Sequence, residues 1–219
     1  MPVIDLGISL SNMLLLTEKY QKLKEPYIDL NANIKSNELD LICNLYYDIV
    51  DKGYSSPNVR IRYFDGATWL RFPNRIMFDS VDVHWNQLMK FLGNNIQDEE
   101  KNILTETSKQ FKPILNKLTM ALSNHLGGNY LPFGVELNTL KPGQEILPHV
   151  DKHWLDEQTH RVHLVLETNS QALMTCGGVT RHFPKGSSFI LNNKIEHKVV
   201  NNGATSRTHL VVDCIEYSL

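Results

Sequence analysis

HRVHLVLET, residues 160–168, is the stretch on which the fold turns. Alternate side chains of an extended strand point the same way. Arg161 and His163 therefore share one face, and Val162, Leu164 and Leu166 share the other. Such a strand packs its apolar side into a core and turns a cation and an imidazole toward something that answers them. The flanking sequence repeats the pattern. GVELNTL (134–140), EILPHVD (145–151), ALMTC (172–176), VTRHF (179–183), SSFILN (187–192), HKVV (197–200) and RTHLVVDCI (207–215) are short β-type runs set apart by Gly, Pro and Asn turns. About eight such strands predict an antiparallel sandwich or jelly roll over residues 129–219.

Before residue 128 the pattern changes. Residues 37–52, NELDLICNLYYDIVDK, carry helical periodicity and close on Gly53. In residues 100–126, Leu104, Phe111, Leu115, Leu118, Leu122 and Leu126 form one apolar stripe that ends at Gly127-Gly128. Between the helices, NVRIRYFDGATWLRF (58–72) holds Asp65-Gly66 between two β-rich runs, the turn signal of a tight hairpin. The expected architecture is mainly β with a helical N-terminal part, an α+β chain. Residues 1–128 form a helix-rich part with a hairpin that extends a sheet, residues 129–219 form the jelly-roll core, and the two make one compact unit with helices on an outer face.

Composition narrows the function classes. Hydrophobic residues at 42% and charged residues at 21% are those of an ordinary globular chain. A net charge of −2 gives no electrostatic argument for nucleic acid, whose binding shows as a basic face or stripe. Three widely spaced cysteines, Cys43, Cys176 and Cys214, fit neither a disulfide framework nor a zinc knuckle and are expected as buried thiols. No run approaches the roughly 18 apolar residues of a membrane span. The start, MPVIDLGISLSNMLLL, has no basic region followed by an unbroken apolar stretch. A cytoplasmic location is the expectation.

The polar residues of the β region gather in pairs. His149 and Asp151 are two apart, as are Arg161 and His163, and Arg207 and His209. A His-x-Asp pair followed by a later His, here His197, is the donor set of the two-His, one-carboxylate facial triad. That triad leaves adjacent positions open on Fe(II) for a bidentate co-substrate and dioxygen. Arg207 follows His197 by ten residues, where a planar guanidinium can take a distal carboxylate through two parallel bonds. Two other readings share part of this pattern: a non-oxidative metal-dependent cupin enzyme, isomerase or hydrolase, and a non-catalytic jelly-roll binding module. The first has no need of an arginine ten residues after the last ligand, and the second predicts no metal at His149, Asp151 and His197.

ELNTLKPGQEILPHVD (136–151), RVHLVLETN (161–169), KGSSFILNNKIEHKVVNN (185–202) and SRTHLVVD (206–213) together resemble the catalytic domain of the aspartyl/asparaginyl β-hydroxylases, a branch of the 2-oxoglutarate oxygenases with a double-stranded β-helix fold. The resemblance covers residues 136–213 and leaves the N-terminal 128 unmatched. It implies Fe(II), 2-oxoglutarate and O2, with His149 and His197 on the metal and Arg207 on the co-substrate's C5 carboxylate. It places His163 near the C1 carboxylate and Asn138 where some members carry a serine that helps to hold C5. Arg161 falls at a substrate-facing position, and Trp154, just past the metal motif, is a candidate wall of the substrate pocket. Asp151 departs from the animal peptide hydroxylases, which lack a carboxylate ligand, and resembles the bacterial members that act on free amino acids such as proline. The implied substrate is an amino acid, free or peptidyl, hydroxylated with release of succinate and CO2.

Overall fold

The computed structural model describes residues 23–52, 60–64, 67–71, 98–152 and 159–217. Asp65-Gly66 and Trp154 lie outside these residues. Among them the strands are β1 (Tyr27–Leu30), β2 (Arg60–Phe64), β3 (Ala67–Arg71), β4 (Asn129–Leu140), β5 (Glu145–His149), β6 (His160–Glu167), β7 (Ala172–Cys176), β8 (Val179–Arg181), β9 (Ser188–Leu191), β10 (His197–Asn201) and β11 (Arg207–Tyr217). The helices are α1 (Ser36–Asp51) and α2 (Asp98–Leu126).

Two antiparallel sheets result, a larger one in the order β1-β9-β6-β11-β4-β3-β2 and a smaller one in the order β5-β10-β7-β8. Both expected helices are present within two residues of their expected ends. The expected hairpin is the β2/β3 pair, and it extends the larger sheet through β3 on β4. β1 was not legible in the sequence: YIDL is only four residues long, and it becomes a strand by pairing with β9 at the sheet edge. Between β7 and β8, Gly177 and Gly178 both take positive φ, 54° and 81°, as a two-residue loop requires where Cys176 pairs with Val179.

The alternation read in HRVHLVLE separates two cores. Val162, Leu164 and Leu166 of β6, with Leu210 and Val212 of β11, pack against α1 and α2. Leu39, Ile42, Tyr46 and Ile49 of α1 and Phe111, Leu115, Leu118 and Leu122 of α2 supply the helical side of that core. Lys117 of α2 pairs with Glu38 of α1 at 2.6 Å, tying the helices together at its margin. A second core, with Val165, Leu140, Ile146, Met174, Phe189, Leu191 and Val199, lies between the two sheets. The helices thus cover one outer face of the larger sheet, and the smaller sheet covers the other: a jelly roll of the double-stranded β-helix type, as expected. All three cysteines are buried and unpaired. Among the described residues no helix is long and apolar enough to cross a membrane.

Leu118 is fully buried between α2 and the sheet. Leu118→Ala therefore removes about 2–5 kcal/mol of folding stability, the range for a leucine truncated in a packed core, measurable by urea denaturation.

Candidate active site

β5 and β10 are neighbours in the smaller sheet, and their register sets His149 directly opposite His197, next to an irregularity between His197 and Val199. A register shift of this kind re-aims side chains at a sheet end. The chain leaves β5 through Asp151, whose backbone N–H donates to the Asn193 carbonyl at 3.2 Å. Nδ1 of His149 lies 2.8 Å from the Leu147 carbonyl, and Nδ1 of His197 lies 3.0 Å from that of Ile195. A carbonyl oxygen only accepts, so each Nδ1 carries the proton and each Nε2 keeps its lone pair for a ligand bond.

His149 Nε2 is 3.5 Å from Asp151 Oδ1, and His197 Nε2 is 4.0 Å from Asp151 Oδ2. Donors at about 2.0–2.2 Å from one ion lie no more than roughly 4.4 Å apart, and each imidazole meets that limit with one oxygen of Asp151. The three donor atoms form the one group among the described residues suited to holding a metal ion. Two imidazoles and a carboxylate also match in kind the donors that Fe(II) takes in a facial triad.

Asp151 is strongly supported. Burial alone would push its carboxyl up, but the Arg161 guanidinium, His197, the hydrogen bond from Asn193 and His149 together hold it below the usual carboxylate value. Asn193 Nδ2 donates to Oδ2 at 3.0 Å, and Arg161 NH1 donates to the same oxygen. Burial likewise lowers the pKa of His197, against the raising effects of its backbone bond and Asp151. Both groups are thus in their ligating forms at neutral pH.

Arg207, on β11, is 3% exposed and reaches the same cavity. NH1 donates to Asn138 Oδ1 at 2.7 Å and NH2 to His209 Nδ1 at 2.8 Å. Both partners are neutral, and among the described residues no carboxylate pairs with this guanidinium. Burial pushes its pKa down to about 9, the mark of a buried cation without a counter-charge. Asn138 Nδ2 and His163 Nε2 are also buried without a hydrogen-bond partner. One uncompensated cation and two unmet polar atoms around a cavity of about 220 Å³ fit an anionic ligand carrying carboxylates.

His149, Asp151, His197, Arg207, His163, Asn138 and Arg161 all line that cavity, with Ile146, Met174, Leu191, Val199 and Val211 as its apolar wall. Trp154 falls outside the described residues. Arg161 also has acidic partners within the protein. It grips Asp213 with Nε at 2.8 Å and NH2 at 3.0 Å, and it reaches Asp151 with NH1. Asp213, Asn193 and His209 were missed as functional residues. Asp213 and His209 each had a signal in the sequence, since His209 shares Arg207's face and Asp213 lies on the same face four residues further along the strand. Phe189 was also missed; it stacks on His163 with centroids 5.0 Å apart and planes 6° apart, and Phe183 backs it at 3.7 Å.

The family model for aspartyl/asparaginyl β-hydroxylases matches residues 79–216, so the match starts well before the first motif quoted above. A curated relative, L-proline cis-4-hydroxylase of Rhizobium meliloti (strain 1021), is 37% identical over 68 residues, 31% of this chain. The match spans 24% of that protein's length. Among solved structures, a 2OG-Fe(II) oxygenase-family oxidoreductase from Burkholderia pseudomallei superposes with a TM-score of 0.50 at 14% identity, covering 95% of this chain and 92% of the other. The non-heme α-ketoglutarate-dependent epimerase SnoN of nogalamycin biosynthesis gives a TM-score of 0.57 at 9% identity, with 95% and 82% coverage. At these identities the structural likeness is one of fold.

Burial, followed by the charge of Arg207, holds His163 and His209 well below the ordinary imidazole value. In the unfolded chain both take up protons below about pH 6.5, while in the native state they stay neutral. Their contribution to stability is therefore complete above about pH 6.5 and is lost as pH falls toward their folded values. Urea denaturation of the metal-free protein from about pH 7.5 to 5.5 should show falling stability, with a shallower pH slope in His209→Gln. An equal slope in the variant contradicts this assignment.

Proposed function

Because the chain belongs to the aspartyl/asparaginyl β-hydroxylase family, we propose that it is an Fe(II)- and 2-oxoglutarate-dependent oxygenase that hydroxylates an unactivated C–H of an amino acid, free or within a peptide. The observation that carries this reading is Arg207, a buried guanidinium with only neutral partners facing the cavity that also holds the His149, Asp151 and His197 donors. A non-oxidative cupin enzyme has no need of that cation, and a non-catalytic binding module has no need of the three donors beside it.

In this reading His149 Nε2, His197 Nε2 and an Asp151 oxygen hold the iron. Arg207 takes the distal carboxylate of 2-oxoglutarate, and Asn138 fixes the plane of the guanidinium while its own free Nδ2 donates to the same ligand. His163, held flat against Phe189, meets the C1 carboxylate end. When bound, iron and dioxygen supply the oxidation that converts 2-oxoglutarate to succinate and CO2 and a substrate C–H to C–OH. The protein orients the reactants and keeps water out, and the apolar wall from Ile146 to Val211 does the latter.

Asp151 and the name of the Rhizobium relative support a free amino acid as the first substrate class to test. A cytoplasmic setting fits three buried, unpaired thiols.

Incubation with Fe(II), 2-oxoglutarate and a panel of amino acids and short peptides should release succinate, including by uncoupled turnover. His197→Ala should release none. Arg207→Gln should weaken 2-oxoglutarate binding by about 10-fold or more, the equivalent of one charged hydrogen bond worth roughly 1.5–3 kcal/mol, read by calorimetry on the Mn(II)-loaded protein. Failure of wild-type protein to release succinate with any member of the panel counts against the oxygenase reading. Unaltered 2-oxoglutarate binding in Arg207→Gln counts against the role of that residue.

A further inference from the structure

The geometry points to Asp213 as a positioning residue for the metal carboxylate: by gripping Arg161 it sets the guanidinium that orients Asp151. Arg161 is thereby reassigned from contacting substrate to fixing a ligand. This inference rests on the metal-binding reading of His149, Asp151 and His197.

Asp213 lies directly opposite Arg161 in the β11/β6 register. Its two oxygens take Nε and NH2 at 2.8 and 3.0 Å, the two-pronged geometry that fixes the plane of a guanidinium as well as its position. The edge left over is NH1, which meets Asp151 Oδ2. Asp151 needs such a hold because it lies beyond the end of β5, where no strand ladder fixes it. Asn193 Nδ2 donates to the same Oδ2 at 3.0 Å, leaving Oδ1 as the oxygen nearest His149 Nε2. Two donors from distant parts of the chain thus converge on one carboxylate oxygen and fix the carboxylate beside the two imidazoles.

The charge balance agrees. Arg161 pairs with Asp213 and Asp151, whereas Arg207, the other arginine lining the cavity, pairs with no carboxylate among the described residues. A substrate carboxylate gains less from a guanidinium already neutralised within the protein. Outer partners of metal ligands typically contribute about 10–100-fold in metal affinity or activity, which sets the expected size of the effect.

The test is Mn(II) affinity, measured by calorimetry on the full chain without substrate. Wild type should bind one Mn(II), and His197→Ala should not. Asp213→Asn should weaken Mn(II) binding by about 10-fold or more, with Asp213→Glu recovering part of the loss. Affinity for 2-oxoglutarate at saturating Mn(II) should stay unchanged, because Arg207 is untouched. Should Asp213→Asn fail to fold, Arg161→Lys decides instead, since it keeps the charge but lacks the fork that spans two carboxylates; it should show the same loss. Unchanged Mn(II) affinity in the folded variant overturns the positioning role and leaves the metal site standing. Absence of Mn(II) binding by wild type overturns both.

Discussion

A guanidinium placed between two β-sheets is costly unless something answers its charge. Arg161 and Arg207 both reach into the space enclosed by the larger and smaller sheets, and they are answered differently. Arg161 is gripped by Asp213 and donates to Asp151, so its charge is neutralised within the protein. Arg207 meets an amide oxygen and a neutral imidazole, and among the described residues no carboxylate pairs with it. The inter-sheet space therefore has two electrostatic halves. One is organised around the His149, Asp151 and His197 donors, and the other has a guanidinium without a carboxylate partner among the described residues.

The rest of the fold makes that arrangement sustainable. The apolar faces of β6 and β11 are absorbed by α1 and α2, so their opposite faces are free to be polar without leaving the sheet unsupported. Phe183 and Phe189 then back His163 with a stack of rings that fixes its plane. His149 and His197 are each held by a carbonyl two residues back along the chain, a short-range device that sets the tautomer wherever the strand ends. Precision at the site comes from rigid strands and local bonds acting together, and less from any single strong contact.

Family membership and local geometry bear on different questions. The match over residues 79–216 speaks for the chemistry. The pairing of Arg161 with two carboxylates speaks for how this chain distributes charge, which a family pattern of residue types does not record. Arg161-x-His163 reads as two equivalent side chains on one strand face, yet the first is drawn to acidic neighbours and the second lies between an aromatic ring and Arg207's imidazole partner.

Much of the candidate site was legible because alternation along a strand is a local rule. Once residues 160–168 are extended, Arg161 and His163 must share a face, and the same holds for Arg207 with His209. The helices were legible for the same reason, through stripes such as Phe111, Leu115, Leu118 and Leu122. Other features depend on strand register, which pairs residues far apart in sequence. Asp213 opposite Arg161, Asn193 on Asp151 and the capture of YIDL as an edge strand arise only when distant segments meet. By itself the sequence determined which side chains could point inward. The tertiary structure decided which of them neutralise one another and which stay unsatisfied, because charge compensation depends on distances of about 3 Å across strands that the chain order leaves open.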